Sequence, residues 1–125
     1  IVPAINNEPG LYSARYAGLN ATDSDNRNKL ISKLKDNKLE STYAYFFCCI
    51  VAVGIKGQNE IIVCDGKVEG EVRTIERGEK GFGYDPMFYP KGYSESFAEL
   101  NSLEKNKISH RGQALKKLMD KLNKT

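Results

Sequence analysis

The sequence predicts an α+β fold in which helices precede and follow a run of strands. Apolar residues recur at helical spacing near both ends of the chain, whereas the middle is rich in aromatic and β-branched residues. Turn signals that contain glycine or proline separate these segments. The 125 residues suffice for one hydrophobic core, so we interpret residues 1–125 as a single domain.

The beginning of the chain predicts two helical segments. Residues 11–17 are expected to form one or two helical turns, which Gly18 can end because glycine accepts a left-handed conformation. Thr22 or Asp23 can cap a second helix that continues to about Asp36. The apolar residues of this second helix share one face, and its lysines lie outside that face.

The middle of the chain predicts strands. Residues 42–56 are a long stretch of aromatic and β-branched residues with little polar alternation, so we expect a strand that is covered on both faces. Residues 60–64 and 67–74 are predicted as two further strand pieces. The Asp65-Gly66 dipeptide is expected to separate them as a tight turn or a bulge.

The last part of the chain predicts a loop followed by two helices. Residues 78–86 contain three glycines, which are too many for the interior of a helix or a strand. Residues 87–89 are expected to return briefly to the sheet. Ser102 and Ser109 can cap a short helix and a final helix. The final helix carries apolar residues at helical spacing, which are Ala114, Leu115, Leu118, Met119 and Leu122.

Composition and charge argue against several classes of protein. The net charge of +3, from 19 basic and 16 acidic residues, is too small to indicate a nucleic-acid partner. The longest apolar run, at residues 43–53, is shorter than the roughly 20 residues that span a bilayer, so no membrane partner is expected. Residues 1–3 do not resemble the start of a signal peptide.

The three cysteines are Cys48, Cys49 and Cys64. Two of them are adjacent within an apolar run, and no further cysteine or histidine lies at the spacing of metal ligands. We therefore interpret them as reduced thiols of a cytoplasmic protein rather than as a metal or redox site.

The segment at residues 81–88 combines the features of a ligand-binding loop. Phe82 and Tyr84 flank Gly83, and Asp85 follows them. Glycine lets a backbone approach a ligand closely, and the two rings offer surfaces on which a planar group can stack. The alternative interpretation of the same residues is a structural loop whose rings pack against the core.

The single histidine, His110, lies beside Arg111 directly after the predicted cap Ser109. Backbone N–H groups at a helix start favour anions and acceptor atoms, and an arginine adds a planar fork of donors. These groups suit the carbonyl edge of a purine. Lys105 can join them if the short helix folds back on the final helix. The alternative is a histidine at a helix start with solvated arginine and lysine side chains.

Three blocks of the sequence, in this order and spacing, resemble the inosine triphosphate pyrophosphatase family. They are PGLYSARYAG at residues 9–18, GFGYDPMF at residues 81–88, and a final block that ends in ISHR at residues 108–111. This family hydrolyses non-standard purine nucleoside triphosphates to the monophosphate and pyrophosphate. The resemblance covers the whole chain and implies an elongated two-lobe fold with a central mixed sheet of long strands flanked by helices.

The resemblance also implies roles for individual residues. The substrate-binding residues would be Phe82, Gly83, Tyr84, Asp85, Lys105, His110 and Arg111. Phe82 is expected to stack on the purine, and the three residues after it are expected to line the pocket. His110 and Arg111 are expected to contact the six-keto group of hypoxanthine or xanthine. Adenine has an amino group at that position and would leave these donors unpaired.

The family has a phosphate-binding turn, a metal-binding glutamate and a general-base aspartate before its proline-glycine block. In this chain the block begins at Pro9, and residues 1–8 contain no aspartate. We therefore expect the chain to be the C-terminal two-thirds of a family member without its N-terminal βα portion. The general base and the metal ligands are expected upstream of Ile1, so the chain is expected to be inactive alone.

For the parent protein, the resemblance implies a cytoplasmic, Mg²⁺-dependent homodimer that removes ITP, dITP and XTP from the nucleotide pool. A non-catalytic module that binds nucleotides or single-stranded nucleic acid is the alternative, since bases stack on aromatic rings while lysines attract phosphates. A third hypothesis is a structural dimerisation domain in which the strand at residues 42–56 forms the seam.

Overall fold

The computed structural model describes residues 1–54 and 61–122, and its helices and strands follow the predicted α+β order. The helices are α1 (Asp23–Asp36), α2 (Ser102–Ile108) and α3 (His110–Leu122). The strands are β1 (Ser41–Val53), β2 (Ile61–Arg73) and β3 (Phe88–Pro90). Short 3-10 helices occupy Pro3–Ile5, Gly10–Arg15 and Asp85–Met87. The predicted ends of the long strands at residues 55, 56 and 60 lie outside the described residues.

Helix α1 begins at the predicted cap. The Thr22 hydroxyl accepts a 3.1 Å hydrogen bond from the backbone N–H of Asp25, and the Asp25 carboxylate accepts a 3.0 Å bond from the N–H of Thr22. This reciprocal pair is a capping box. It satisfies two backbone N–H donors that have no hydrogen-bond partner within the helix. Of the two predicted caps, Thr22 is the one observed, and Asp23 is the first residue of the helix.

A buried asparagine ties the start of α1 to the segment before it. The side-chain amide of Asn26 donates to the carbonyl of Ala14 at 2.9 Å, and its oxygen accepts from the N–H of Ala17 at 2.8 Å. The helical turns predicted at residues 11–17 are observed as the 3-10 helix Gly10–Arg15. The Asn26 amide holds the end of these turns against α1.

The strands form one sheet in the order β1-β2-β3. Strands β2 and β3 are antiparallel, and Glu71 pairs with Tyr89 in their register. The expected return of the chain to the sheet after the glycine-rich loop is therefore confirmed, one residue later than predicted at its start.

Strand β2 runs without a break through Asp65 and Gly66, so the predicted interruption at this dipeptide is wrong. The reason for the glycine is the helix above it. A Cβ atom at Gly66 would lie 1.9 Å from the carbonyl oxygen of His110 and 2.9 Å from the backbone N of Ala114. Residue 66 is a glycine because the backbone of α3 packs directly on the strand.

One face of β1 is exposed, so the expectation that both its faces are covered is wrong for the described residues. Phe46 points toward α3 and stacks on the His110 ring at 5.0 Å. The alternate side chains Phe47, Val51 and Val53 are 51%, 57% and 65% exposed. Buried or half-buried residues alternate with exposed ones along much of this strand. The sequence does not show this alternation, because apolar residues occupy both faces of the strand.

The chain divides into two compact units. The first unit contains Ile1–Tyr45 and Glu69–Asn101, and the second contains Phe46–Val68 and Ser102–Thr125. The buried side chains of the first unit include Val2, Leu30, Leu34, Met87, Phe88, Tyr89 and Phe97, whereas those of the second include Ile62, Cys64, Val68 and Ala114. Within the described part of the chain, the helices are too short and too polar to cross a membrane.

Candidate functional site

The predicted ligand-binding loop is closed on itself by Asp85. Its carboxylate accepts a 3.1 Å hydrogen bond from the N–H of Phe82, and its own N–H donates to the carbonyl of Phe82 at 3.2 Å. Gly81 has a φ of 80°, and a Cβ atom there would lie 2.2 Å from the Asp85 carboxylate. Gly81 is thus required for the turn, and the Asp85 side chain, which is only 5% exposed, shapes the loop.

Helix α1 holds the middle of this loop from both sides. The N–H of Gly83 donates to the Asp23 carboxylate at 2.9 Å, and the carbonyl of Gly83 accepts from the Arg27 guanidinium at 2.8 Å. Arg27 also pairs with the Glu76 carboxylate. The side chain of Arg27 is 18% exposed, so these bonds are partly shielded from water.

Tyr84 is fixed by its hydroxyl group, which donates a 2.7 Å hydrogen bond to the carbonyl of Ser13. Its ring is buried. Burial raises the pKa of Tyr84 to about 12, and the negative charge of Asp23 adds to the effect. The phenol therefore keeps its proton at neutral pH and acts as a fixed donor.

The two rings of the loop have different surroundings. The alternative interpretation, in which the rings pack against the core, holds for Tyr84. The ring of Phe82, in contrast, is 60% exposed. A planar ligand can reach such a ring, so the exposed ring of Phe82 is available for stacking.

The start of α3 is capped as predicted. The Ser109 hydroxyl accepts a 3.0 Å hydrogen bond from the N–H of Gly112. A Cβ atom at Gly112 would lie 2.3 Å from the carbonyl of Asn106 in α2. The two helices therefore meet closely at this turn, as expected if the short helix folds back on the final one.

The remaining predicted site residues lie around this turn. His110 is half-buried and stacks on Phe46, with 11° between the ring planes. Arg111 is exposed on the first turn of α3, and Lys105 is half-buried in α2. These three residues belong to the second unit, whereas Phe82, Gly83, Tyr84 and Asp85 belong to the first.

Residues 1–121 match the Ham1 family. The chain belongs to the Ham1 family. The resemblance inferred from the three sequence blocks is therefore confirmed, because relatives of this Ham1 chain include proteins named dITP/XTP pyrophosphatase.

Two such relatives illustrate the similarity. The dITP/XTP pyrophosphatase of Clostridium perfringens is 50% identical over 121 residues, which are 97% of this chain and 58% of that protein. The dITP/XTP pyrophosphatase of Idiomarina loihiensis is 47% identical over 123 residues, which are 98% of this chain and 61% of that protein. The Ham1 chain thus spans about three fifths of the length of these relatives.

Solved structures of Ham1 proteins share the fold. The HAM1 protein from Coxiella burnetii has a TM-score of 0.90 and 40% identity, covering 99% of this chain and 63% of that one. The Ham1 protein of Staphylococcus aureus has a TM-score of 0.86 and 41% identity, covering 97% and 61%. These values confirm the predicted fold class for the Ham1 chain.

The described residues of the Ham1 chain do not form a metal centre of their own. Across residues 1–54 and 61–122, no group of three or more histidine, cysteine, aspartate or glutamate side chains is placed to hold an ion. All three cysteines are free thiols. The expectation that this chain supplies neither the metal ligands nor the general base stays a prediction.

A cavity of about 410 Å³ lies elsewhere in the first unit. Its walls include Tyr43 and Tyr89, and the Arg73 guanidinium lies 4.0 Å from the centre of the Tyr89 ring. Arg73 also pairs with Glu71 at 2.5 Å. The described lining of this cavity contains none of the predicted site residues.

Sequence reasoning missed Asp23 and Arg27. Asp23 was considered only as a possible cap of the helix, and Arg27 was given no role beyond its place in the helix. Their spacing of four residues places them on one face of α1, but the sequence contains no signal that this face meets a loop 60 residues later.

Proposed function

We propose that the protein is a nucleoside triphosphate pyrophosphatase that hydrolyses the non-standard purine nucleotides ITP, dITP and XTP to the monophosphate and pyrophosphate. The observation that carries this proposal is the 50% identity over 121 residues to the dITP/XTP pyrophosphatase of Clostridium perfringens. The geometry of the Phe82 loop supports it, since an exposed ring on a fixed backbone suits a purine base.

The proposed substrate-binding residues are Phe82, Gly83, Tyr84, Asp85, Lys105, His110 and Arg111. Phe82 stacks on the base, and the fixed backbone around Gly83 sets the depth to which the base enters. His110 and Arg111 donate to the six-keto oxygen of hypoxanthine or xanthine. Adenine presents an amino donor at the same place, so it leaves these donors unsatisfied and binds more weakly.

A divalent metal ion belongs to this proposal, and we propose Mg²⁺. Mg²⁺ binds nucleotides through phosphate oxygens and needs one or two carboxylates from the protein. Across residues 1–54 and 61–122, no group of three or more histidine, cysteine, aspartate or glutamate side chains is placed to hold an ion by itself. We therefore assign these residues to recognition of the base and derive no chemical step from them.

The test is pyrophosphate release from ITP and from ATP. It uses the 125-residue chain and a chimera in which residues 1–121 replace the matching residues of the Clostridium perfringens relative. We expect the chimera to release pyrophosphate from ITP much faster than from ATP, and we expect no turnover by the chain alone. Equal rates on ITP and ATP would contradict the proposed selectivity, and an inactive but folded chimera would contradict the proposed function.

A homodimer in the cytoplasm completes the proposal. The exposed apolar face of β1 and β2, which carries Phe47, Val51, Val53, Ile61 and Val63, supports self-association. The three free thiols suit a reducing compartment. Light scattering of the purified chain tests the dimer, and a monomer at all accessible concentrations would contradict it.

The second candidate function is a module that binds nucleotides or single-stranded nucleic acid without catalysis. The exposed Phe82 ring favours it, together with exposed lysines such as Lys116 on α3. This function predicts steeply salt-dependent binding to oligonucleotides and equal affinity for IMP and AMP. A clear preference for IMP over AMP would exclude it.

A further inference from the structure

The contact between α1 and the Gly83 peptide carries an inference beyond the assignment of the base pocket. We infer that Asp23 and Arg27 are positioning residues that aim the ring of Phe82 at the base. This inference rests on the proposed function, because it needs a base on that ring. Neither residue needs to touch the nucleotide, since both act on the backbone next to Phe82.

The backbone around Phe82 cannot aim the ring by itself. Gly81 and Gly83, on either side, have φ angles of 80° and 62°. Glycine has a wide choice of conformations, so two glycines leave the peptide planes between them weakly determined. The direction of the Phe82 side chain must therefore come from contacts made by the loop.

The surrounding core does not supply all of that direction. The ring of Phe82 is 60% exposed, so packing constrains it less than it constrains the buried ring of Tyr84. The Asp85 carboxylate fixes the N–H of Phe82. The N–H of Asp85 also donates to the carbonyl of Phe82 at 3.2 Å, so the loop constrains both ends of Phe82, whereas the N–H and the carbonyl of Gly83 are held from outside the loop.

Helix α1 supplies the constraint on Gly83. The Asp23 carboxylate accepts from the N–H of Gly83 at 2.9 Å, and the Arg27 guanidinium donates to its carbonyl at 2.8 Å. An acceptor on the N–H side and a donor on the C=O side define how the backbone runs through residue 83. Both bonds involve charged groups, which make stronger hydrogen bonds than neutral ones.

The chemistry of these contacts predicts which property they control. Stacking on a ring is tolerant of base identity, because every base has a π-face. A ring that is wrongly aimed should therefore weaken binding of IMP and of AMP by the same factor. Selectivity between the two bases depends on the donors of His110 and Arg111 and should not change.

The experiment is a double-mutant cycle on the 125-residue chain, with IMP as the probe. We expect Arg27→Met to weaken IMP binding by about tenfold, the size of one lost hydrogen bond from a charged donor. In the Phe82→Ala background the same change should alter affinity by less than about twofold, because there is no ring left to aim. Arg27→Lys keeps a donor and a charge and should restore most of the affinity.

The matched control is Lys29→Met. Lys29 lies on the same helix, and its ammonium donates a 2.8 Å hydrogen bond to the carbonyl of Tyr16, away from the loop. This variant loses one positive charge and one bond to a backbone carbonyl, as Arg27→Met does, although Arg27→Met also removes the ion pair with Glu76. Lys29→Met should bind IMP normally. An equal loss of affinity in both variants would overturn the positioning role.

Two further readouts separate this inference from the proposed function. Amide hydrogen exchange at Gly83 should accelerate in Asp23→Ala whether or not a nucleotide binds, and unchanged exchange would contradict the contact itself. An equal loss of affinity for Arg27→Met with and without the Phe82→Ala change, while the unsubstituted chain binds IMP, would overturn the positioning role alone. Absence of any IMP binding would contradict the proposed base pocket, and the positioning role would fall with it.

Discussion

The hydroxyl of Tyr84 donates a 2.7 Å hydrogen bond to the backbone carbonyl of Ser13, which lies 71 residues earlier in the chain. Two of the sequence blocks that carry the family resemblance are thus joined by one buried phenol. The bond belongs to the scaffold of the candidate site, because the same loop carries the exposed ring of Phe82.

Removal of this bond should be measurable as a loss of stability. We expect Tyr84→Phe to lower the free energy of unfolding by about 1 kcal/mol, since the ring still packs but the carbonyl of Ser13 loses its donor. Urea unfolding measures this change. Tyr12→Phe is the control, because the ring of Tyr12 is 60% exposed, and it should leave the stability unchanged. Equal stability of Tyr84→Phe and the unsubstituted chain would contradict the structural role of the hydroxyl.

The same tyrosine predicts an alkaline limit to stability. Burial raises the pKa of Tyr84 to about 12 in the folded chain, above its ordinary value of 10.0. A raised pKa means that folding favours the protonated phenol, so its contribution is fully present below pH 10.0 and is lost as the pH rises to about 12. We expect the stability difference between the unsubstituted chain and Tyr84→Phe to shrink across this interval. A constant difference would contradict the shifted titration.

Selectivity for the base should depend on the start of α3. We expect Arg111→Met to lower the ratio of IMP to AMP affinity by about tenfold, because the six-keto oxygen loses a charged donor. Competition binding of the two monophosphates measures this ratio. Lys107→Met removes a positive charge from the neighbouring helix and is the control. A ratio that is unchanged in Arg111→Met would remove this residue from base recognition.

Self-association should depend on the exposed face of β1. We expect Val51→Lys to shift the chain from dimer to monomer, because a buried, unpaired ammonium at an interface is strongly unfavourable. Leu19→Lys is the matched control, since it introduces the same charge at an apolar residue that is 83% exposed and lies in the other unit. Sedimentation of both variants provides the comparison. A stable dimer of Val51→Lys would place the interface elsewhere.

Packing of α3 on β2 should not tolerate a side chain at residue 66. We expect Gly66→Ala to lower the free energy of unfolding by about 1 to 3 kcal/mol, the range for overpacked sites. The cause is the 1.9 Å approach of the added Cβ atom to the carbonyl of His110. Asp65→Ala removes only the solvent-exposed ion pair with Lys117 and should lower the free energy of unfolding by less than Gly66→Ala does. A fully stable Gly66→Ala would show that the helix can move away at little cost.

Local signals in the sequence predicted several elements well. Thr22 and Ser109 were recognised as caps because a small hydroxyl residue before an amphipathic stretch has a direct local function. The loop at Phe82 was predicted from its glycines, which also act on the local backbone. In each case the residues that determine the structure are neighbours in the chain.

Features set by distant contacts were not predictable. Gly66 was interpreted as a break in the strand because its true reason, the backbone of α3, lies more than 40 residues later. The exposed face of β1 was missed because Phe47 and Val51 are apolar like their buried neighbours. Asp23 and Arg27 were missed because the sequence does not distinguish a charged helix residue that faces solvent from one that binds a distant loop.

The close approach at Gly66 also fixes where α3 lies along its own axis. Sliding the helix by one residue moves it about 1.5 Å and would carry the His110 carbonyl off the glycine toward a neighbouring side chain. The strand therefore sets the axial position of the helix by steric exclusion, which acts at short range and does not depend on charge or salt. The first turn of α3 should accordingly keep its height above the sheet when charged residues on the outer side of the helix are exchanged.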